Sequence, residues 1–294
     1  TYNQDKPLLS EIRGGYVGHT IQAIPTLEQY DANQTGGYGA LYGDVVNLYN
    51  PLGMVDDNLM NRYSDNVKIY ANAYVSVEFM KGLKYKLNLT PDFQFYRYNS
   101  YLGLYDYGLN KNDITQVTEQ QTRTRNVLVE NLLTFDRTFG DHKISVLAGY
   151  TYQDSRYRYM QGSGQGMPTG IKEIDAAAQG LAVSGNSSRS VLTSILGRAF
   201  YSYKNRYLLT ATIRRDGSSK FGSNNRYGNF PSFSVGWNIA EEDFVKNNVS
   251  WLDQLKLRGG YGVLGNQEID NYQYVSVVTT GINYPDGKSG LIQG

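Results

Sequence analysis

The sequence predicts an all-β protein: an antiparallel transmembrane β-barrel segment of about eight to ten strands, part of a larger barrel. Three observations predict it. Apolar and polar residues alternate with a period of two through eight stretches between Val67 and Leu264. The stretches are about nine to thirteen residues long, beyond the roughly five to six usual in soluble sheets and matched to a tilted bilayer crossing. Connection lengths alternate between short and long, as in outer-membrane barrels, whose periplasmic turns are short and outer loops long.

Taken in order, residues 1–66 form a loop-rich segment, with Gly, Asn, Asp and Pro too dense for a core element. Gly14–Ile24 is a candidate extra strand, and Thr35–Gly43 and Tyr49–Asp57 read as loop. Residues 67–264 carry the eight strands. Ile69, Val75, Val77 and Phe79 face outward, opposite Lys68, Asn72, Ser76 and Glu78, and Lys81–Gly82 turns the chain. Leu87, Leu89, Phe93 and Phe95 continue that face, opposite Asn88 and Gln94. Asn99–Gln121 is expected as a long outer loop; Val127, Val129, Leu133 and Phe135 resume the apolar register, and Gly140–Asp141 turns it. Ile144, Val146, Ala148, Tyr150 and Tyr152 come next, then a second long loop over Gly162–Arg189. Val191–Tyr203 turns at Lys204–Asn205 into Tyr207–Arg215, Tyr227–Ile239 and Leu255–Leu264. Residues 265–294 read as an outer loop, with a further strand candidate at Tyr272–Thr280.

Composition agrees. The mean hydropathy of -0.48 excludes a bundle of membrane helices, whereas a barrel wall wets every second residue. The 27 tyrosines suit interfacial aromatic girdles, although they also suit a soluble sugar-binding β-protein. A formal net charge of +1 without a basic run argues against nucleic acid as a partner.

The run RRDGSSKFGSNNRYGNFPSFSVGW (Arg214–Trp237) with LKLRGGYGVLGNQEI (Leu255–Ile269) resembles the SusC-like (SusC/RagA) family of TonB-dependent outer-membrane transporters. Ser194–Thr212 and the Asn50–Pro51 pair fit the same family. The resemblance implies an internal piece of a barrel of about 22 strands, with the N-terminal plug domain and the TonB-contacting part outside this chain. It implies import of oligosaccharides or peptides without bond cleavage, driven through the TonB complex, with a SusD-like surface lipoprotein as lid. A passive porin-like barrel is the alternative reading, and a soluble secreted carbohydrate-binding protein a further one.

The candidate sites follow. Tyr101, Tyr105, Tyr107, Tyr157 and Tyr159 could stack on substrate or meet the lid, or simply pack the large loops on each other. Extending each strand's outward parity to its outer end lands on Arg97, Arg123, Arg125, Arg156, Arg158, Arg189 and Arg215, placed to meet outer-membrane lipid and the phosphates of lipopolysaccharide, or merely tolerated at a polar rim. Arg215–Asp216 reads as a rim ion pair. Gly260–Gly265 matches G-x-G-x-x-G with Asp286 downstream, yet no βαβ unit surrounds it. Gly162–Gly166 lacks the Lys-Ser/Thr of a phosphate-binding loop. His19 and His142 lack metal-ligand spacing, Asp56–Asp57 reads as a solvated loop pair, and Glu241–Glu242–Asp243 as the acidic start of a short helical turn. No catalytic residue, cofactor or metal is expected.

Overall fold

The structure, a computed structural model, describes residues 2–5, 15–40, 48–249, 251–275, 283–285 and 291–293. Its strands are β1 (Tyr2–Asp5), β2 (Met60–Tyr70), β3 (Ala73–Met80), β4 (Leu83–Leu102), β5 (Tyr105–Asp106), β6 (Lys111–Asn112), β7 (Gln116–Phe139), β8 (His142–Gln165), β9 (Gln179–Tyr203), β10 (Tyr207–Ser218), β11 (Tyr227–Asn238), β12 (Lys256–Gly262), β13 (Asn283–Pro285) and β14 (Leu291–Gln293). Among the described residues the α-helices are α1 (Gly15–Gln22), α2 (Pro51–Val55) and α3 (Asp243–Lys246). One antiparallel sheet runs in the order β1-β2-β4-β7-β8-β9-β10-β11-β12, with β3 also on β4. Among the described residues the sheet is open, as a barrel segment must be.

Pairing puts the expected faces together. Leu209 lies opposite Val235, Ala211 opposite Phe233, Phe233 opposite Tyr261, and Leu87 opposite Val75. The apolar face lies bare: Val75 is 62% and Phe233 54% exposed. That inverts a soluble sheet and fits a wall whose outer solvent is lipid.

The first wall strand is split into β2 and β3, yet Tyr70 opposite Asp92 and Ala73 opposite Leu89 keep one register. The split falls at Pro91, which has no N–H to return the bond that Ala71 N donates to its carbonyl (3.1 Å). Asn72 stitches the gap by donating to Thr90 Oγ1 at 2.7 Å.

The tight turns stand where expected. Lys204 and Asn205 both have positive φ (51° and 55°), and Arg206 N donates to Tyr203 O, a type I′ turn. Gly82 has φ 87°, and a Cβ there would lie 2.2 Å from the Asp136 carbonyl, so both backbone and space demand glycine.

Three expectations are corrected. Gly15–Gln22 is helix α1 rather than strand, because Tyr16 and His19, three apart on one helical face, both turn inward. Asn99–Gln121 is mostly strand: β4 runs on to Leu102 and β7 starts at Gln116, leaving a short excursion folded as the β5–β6 hairpin. Gly162–Arg189 shrinks likewise, since β8 ends at Gln165 and β9 begins at Gln179. Gly14, residues 276–280 of the Tyr272–Thr280 candidate, and Asp286 lie outside the described residues.

The chain divides into two compact units. One comprises Thr1–Asn72, Thr90–Val127 and Ser155–Arg189; the other comprises Ala73–Leu89, Leu128–Asp154 and Ser190–Gly294. The first has a core of its own: Met54, Leu59, Met60, Tyr105 and Tyr107 are buried together, with Tyr16, Tyr38 and Tyr49 against them. Asn50 organises its approach. Its Oδ1 caps α2 by accepting from Leu52 N (3.1 Å), and its Nδ2 donates to the carbonyls of Glu28 and Gly39 (3.2 and 3.0 Å). Pro51 then occupies the first helical turn, where its missing N–H costs nothing.

Candidate functional site

In the second unit the glycines of the signature make room for its rings. A Cβ on Gly217 would meet the Tyr227 ring at 2.4 Å, and one on Gly265 would meet the Phe230 ring at 2.3 Å. β10 and β11 can therefore close with Gly217 opposite Tyr227. Between them and the residues after β12 lies a cavity of about 410 Å3, lined by Arg214, Asp216, Arg226, Phe230, Asn266 and Gln267 among others.

Arg214 Nε donates to Asp216 Oδ1 at 2.6 Å, and Nη2 to Ser194 Oγ at 3.0 Å. This corrects the Arg215–Asp216 pair: residues two apart share a face of a strand and neighbours do not. Arg215 points the other way, its guanidinium 5.0 Å over the Tyr227 ring. Arg226 Nε is buried without a partner. The cavity thus presents two guanidinium groups, three side-chain amides, the Asp216 carboxylate and an aromatic face, a set suited to hydroxyl groups.

A second cluster in this unit escaped the sequence reading. Glu242 Oε1 accepts from Trp237 Nε1 (2.8 Å) and Tyr207 OH (2.7 Å), and its Oε2 from Arg206 Nη1 (3.2 Å). Arg206 also pairs with Asp243. The Trp237 and Tyr207 donors, aided by Arg206, hold the Glu242 carboxyl below its ordinary value, and Arg206 does the same for Asp243. A partial signal was present: Tyr207 and Trp237 are partners on adjacent strands in the outward register, where an aromatic O–H or N–H needs an acceptor.

In the first unit, the five candidate tyrosines separate. Tyr105 and Tyr107 stack 4.9 Å apart inside the core at 5% and 2% exposure, and burial pushes both hydroxyls up. Tyr101 is buried with Val117 and Met167, and its hydroxyl accepts from Gly170 N at 3.1 Å. None of these three offers an open ring face. The loops instead bind each other, Thr115 Oγ1 donating to Met167 O at 2.7 Å and Gly166 N to Thr115 O at 2.9 Å. Tyr157 is exposed, and Tyr159 is half-buried and donates to Gln161. Arg97, Arg123, Arg125, Arg156, Arg158 and Arg189 are all exposed, as is Arg215 in the other unit.

The remaining motifs settle into local roles. His19 is buried edge-on to Tyr49, which also keeps it neutral to lower pH. His142 Nδ1 lies 2.8 Å from Tyr201 OH beside its turn. Asp56 accepts from Tyr38 OH at 2.9 Å, and together with burial this pushes the Tyr38 hydroxyl up to about 12. Gly260 and Gly262 lie in β12, and no helix follows among the described residues before Val275.

No family model matches the chain. Over 270 residues it is 30% identical to a TonB-dependent receptor of Formosa agariphila, covering 88% of this chain and 26% of that receptor. Over 99 residues it is 46% identical to the TonB-dependent receptor SusC of Bacteroides thetaiotaomicron, covering 33% of this chain and 10% of SusC. This chain therefore spans only a fraction of its relatives' length. Among solved structures, it is similar to the RagAB peptide transporter (TM-score 0.75, 22% identity, 90% of this chain and 30% of that one). It is also similar to the RagAB peptide importer in its open-open state (TM-score 0.77, 20% identity, 99% and 33%). At that identity these two likenesses speak for the fold.

Proposed function

The chain belongs to the SusC-like family of TonB-dependent outer-membrane receptors, as part of the barrel, and from that premise we propose that it walls an importer of oligosaccharides or peptides. The observation that carries the reading is a sheet with a bare apolar face and small or polar residues on the opposite face, joined to the signature around Arg214–Trp237. In this reading the strands cross the membrane repeatedly, the turns at Gly82, Gly140 and Asn205 face the periplasm, and the 103–115 and 166–178 connections face outward. A SusD-like lipoprotein covers the mouth, and the TonB complex acts through a part of the protein outside this chain. The cavity beside Arg214 and Tyr157 are the contacts offered to cargo. Translocation needs no bond cleavage, so the wall acts as a binding and guiding surface rather than an enzyme.

Cells carrying the full-length protein with one added cysteine provide the test. An impermeant maleimide should label Leu109→Cys and spare Lys204→Cys on intact cells. Depletion of peptides or oligosaccharides from the medium should require both this protein and TonB. Reversed labelling, or depletion indifferent to the protein, would refute the reading.

A further inference from the structure

The outward register of the wall turns from apolar to cationic within the first unit. Arg97 on β4 continues the parity of Phe93 and Phe95, and Arg123 and Arg125 on β7 share that of Val127. All three arginines are exposed. Between Arg97 and Arg123 lies a groove of about 240 Å3 that also involves Val67, Phe95, Gln121 and Asp65. Val67 and Phe95 are direct partners across β2 and β4, and Asp65 and Arg97 are the next pair on the same face. The Arg125 guanidinium sits 5.8 Å from the centre of the Phe93 ring.

We propose that this groove binds a lipid A phosphate of lipopolysaccharide in the outer leaflet, with Arg97 and Arg123 on the phosphate and the start of an acyl chain on Val67 and Phe95. The inference rests on the outer-membrane reading. Guanidinium groups match phosphate oxygens bidentately and are weakly hydrated, so they gain more from such a contact than lysine would. At the interface their placement on the outward face costs only about 0–1 kcal/mol, against about 2–4 at mid-membrane. Val67 and Phe95 form an apolar floor continuous with the lipid-facing Ile69 and Phe93, which suits an amphiphile better than a free phosphate ion. Packing over Phe93 holds Arg125 near the groove at little entropic cost. Asp65 offsets one positive charge and argues against a general anion trap.

The experiment measures lipopolysaccharide retained per molecule by the full-length protein purified from outer membranes in mild detergent. Replacing Arg97, Arg123 and Arg125 together with glutamine should lower retention about fivefold, equivalent to about 1 kcal/mol. The lumen-register control Lys84→Gln/Lys143→Gln should change nothing. Heat-modifiable migration reports whether each barrel has folded; if the triple variant has not, Arg123→Gln alone should still lower retention. Added lipid A should be taken up by the stripped wild-type protein, and dephosphorylated lipid A or phosphatidylglycerol should not replace it. Folded variants with unchanged retention, or equal uptake of dephosphorylated lipid A, would overturn the site and leave the barrel reading standing. Saturation by phosphatidylglycerol would overturn it too, by assigning the groove to phospholipid. A protein that never reaches the outer membrane would instead count against the functional reading itself.

Discussion

The wall and the loop core use the same side chains in opposite ways. On the wall, Val75, Phe233 and Tyr261 are 62%, 54% and 63% exposed, while their strand neighbours Ser76, Ser234 and Gly260 belong to the other face. In the loop core, Met54, Met60 and Tyr107 are at most 2% exposed, closed off by Asn50 and its carbonyl partners. The contrast teaches that burial alone does not locate the apolar interior of such a chain. The loop core excludes water by packing on itself, whereas the wall leaves that to the bilayer.

Three measurements break or sharpen the contrast. Met54→Ala should cost the loop core about 2–5 kcal/mol, the range for emptying a packed site. It should appear as faster protease cleavage within residues 23–40, with the barrel still resistant to heat in detergent. Loss of barrel resistance as well would make the two regions one cooperative unit. Next, Leu87→Arg or Val146→Arg should destabilise the wall by about 2–4 kcal/mol in denaturant titrations in lipid vesicles. Asn88→Arg and Ser145→Arg, one step along, should be far milder, because one step changes face. An arginine replacing Asn88 even meets the Glu130 carboxylate, which now accepts from its amide at 2.8 Å. Equal damage from both classes would show that the apolar face meets no lipid.

The smallest effect concerns pH. The folded carboxyl of Glu242 titrates below its unfolded value, so its stabilisation is fully present above the unfolded value and is lost as pH falls through the folded one. Acidification from about pH 5 downward should loosen the connection after β11. Trp237 fluorescence, recorded in a Trp251→Phe background, should report the change, and Glu242→Gln should flatten it. An identical pH response in the glutamine variant would place the titration elsewhere.

Much of the wall was legible because lipid on one face and water on the other force a period of two. Where both faces meet water the signal fades. Gln116–Gln121 is polar apart from Val117, so it reads as loop although it is strand. α1 was misread for a different reason: glycine and β-branched residues weaken its intrinsic helicity, and the packing of Tyr16 and His19 overrides that. The turns were plain from Lys-Gly, Gly-Asp and Lys-Asn pairs. At the candidate site, the parity that set Arg214 with Asp216 was available in the sequence, and the Arg215–Asp216 pairing ignored it. The Glu242 cluster needed the third dimension, since Tyr207 and Trp237 come from two strands, Arg206 from the turn before β10 and Glu242 from the connection after β11.

Strand length has a consequence beyond topology. β9 has 25 residues, which at about 3.3 Å each run about 80 Å. About nine to eleven tilted residues already cross the hydrocarbon. If the strand crosses as proposed, more than half of its residues stand in water. On the proposed reading, a cover seated on the outer ends of such strands docks as one water-soluble surface on another.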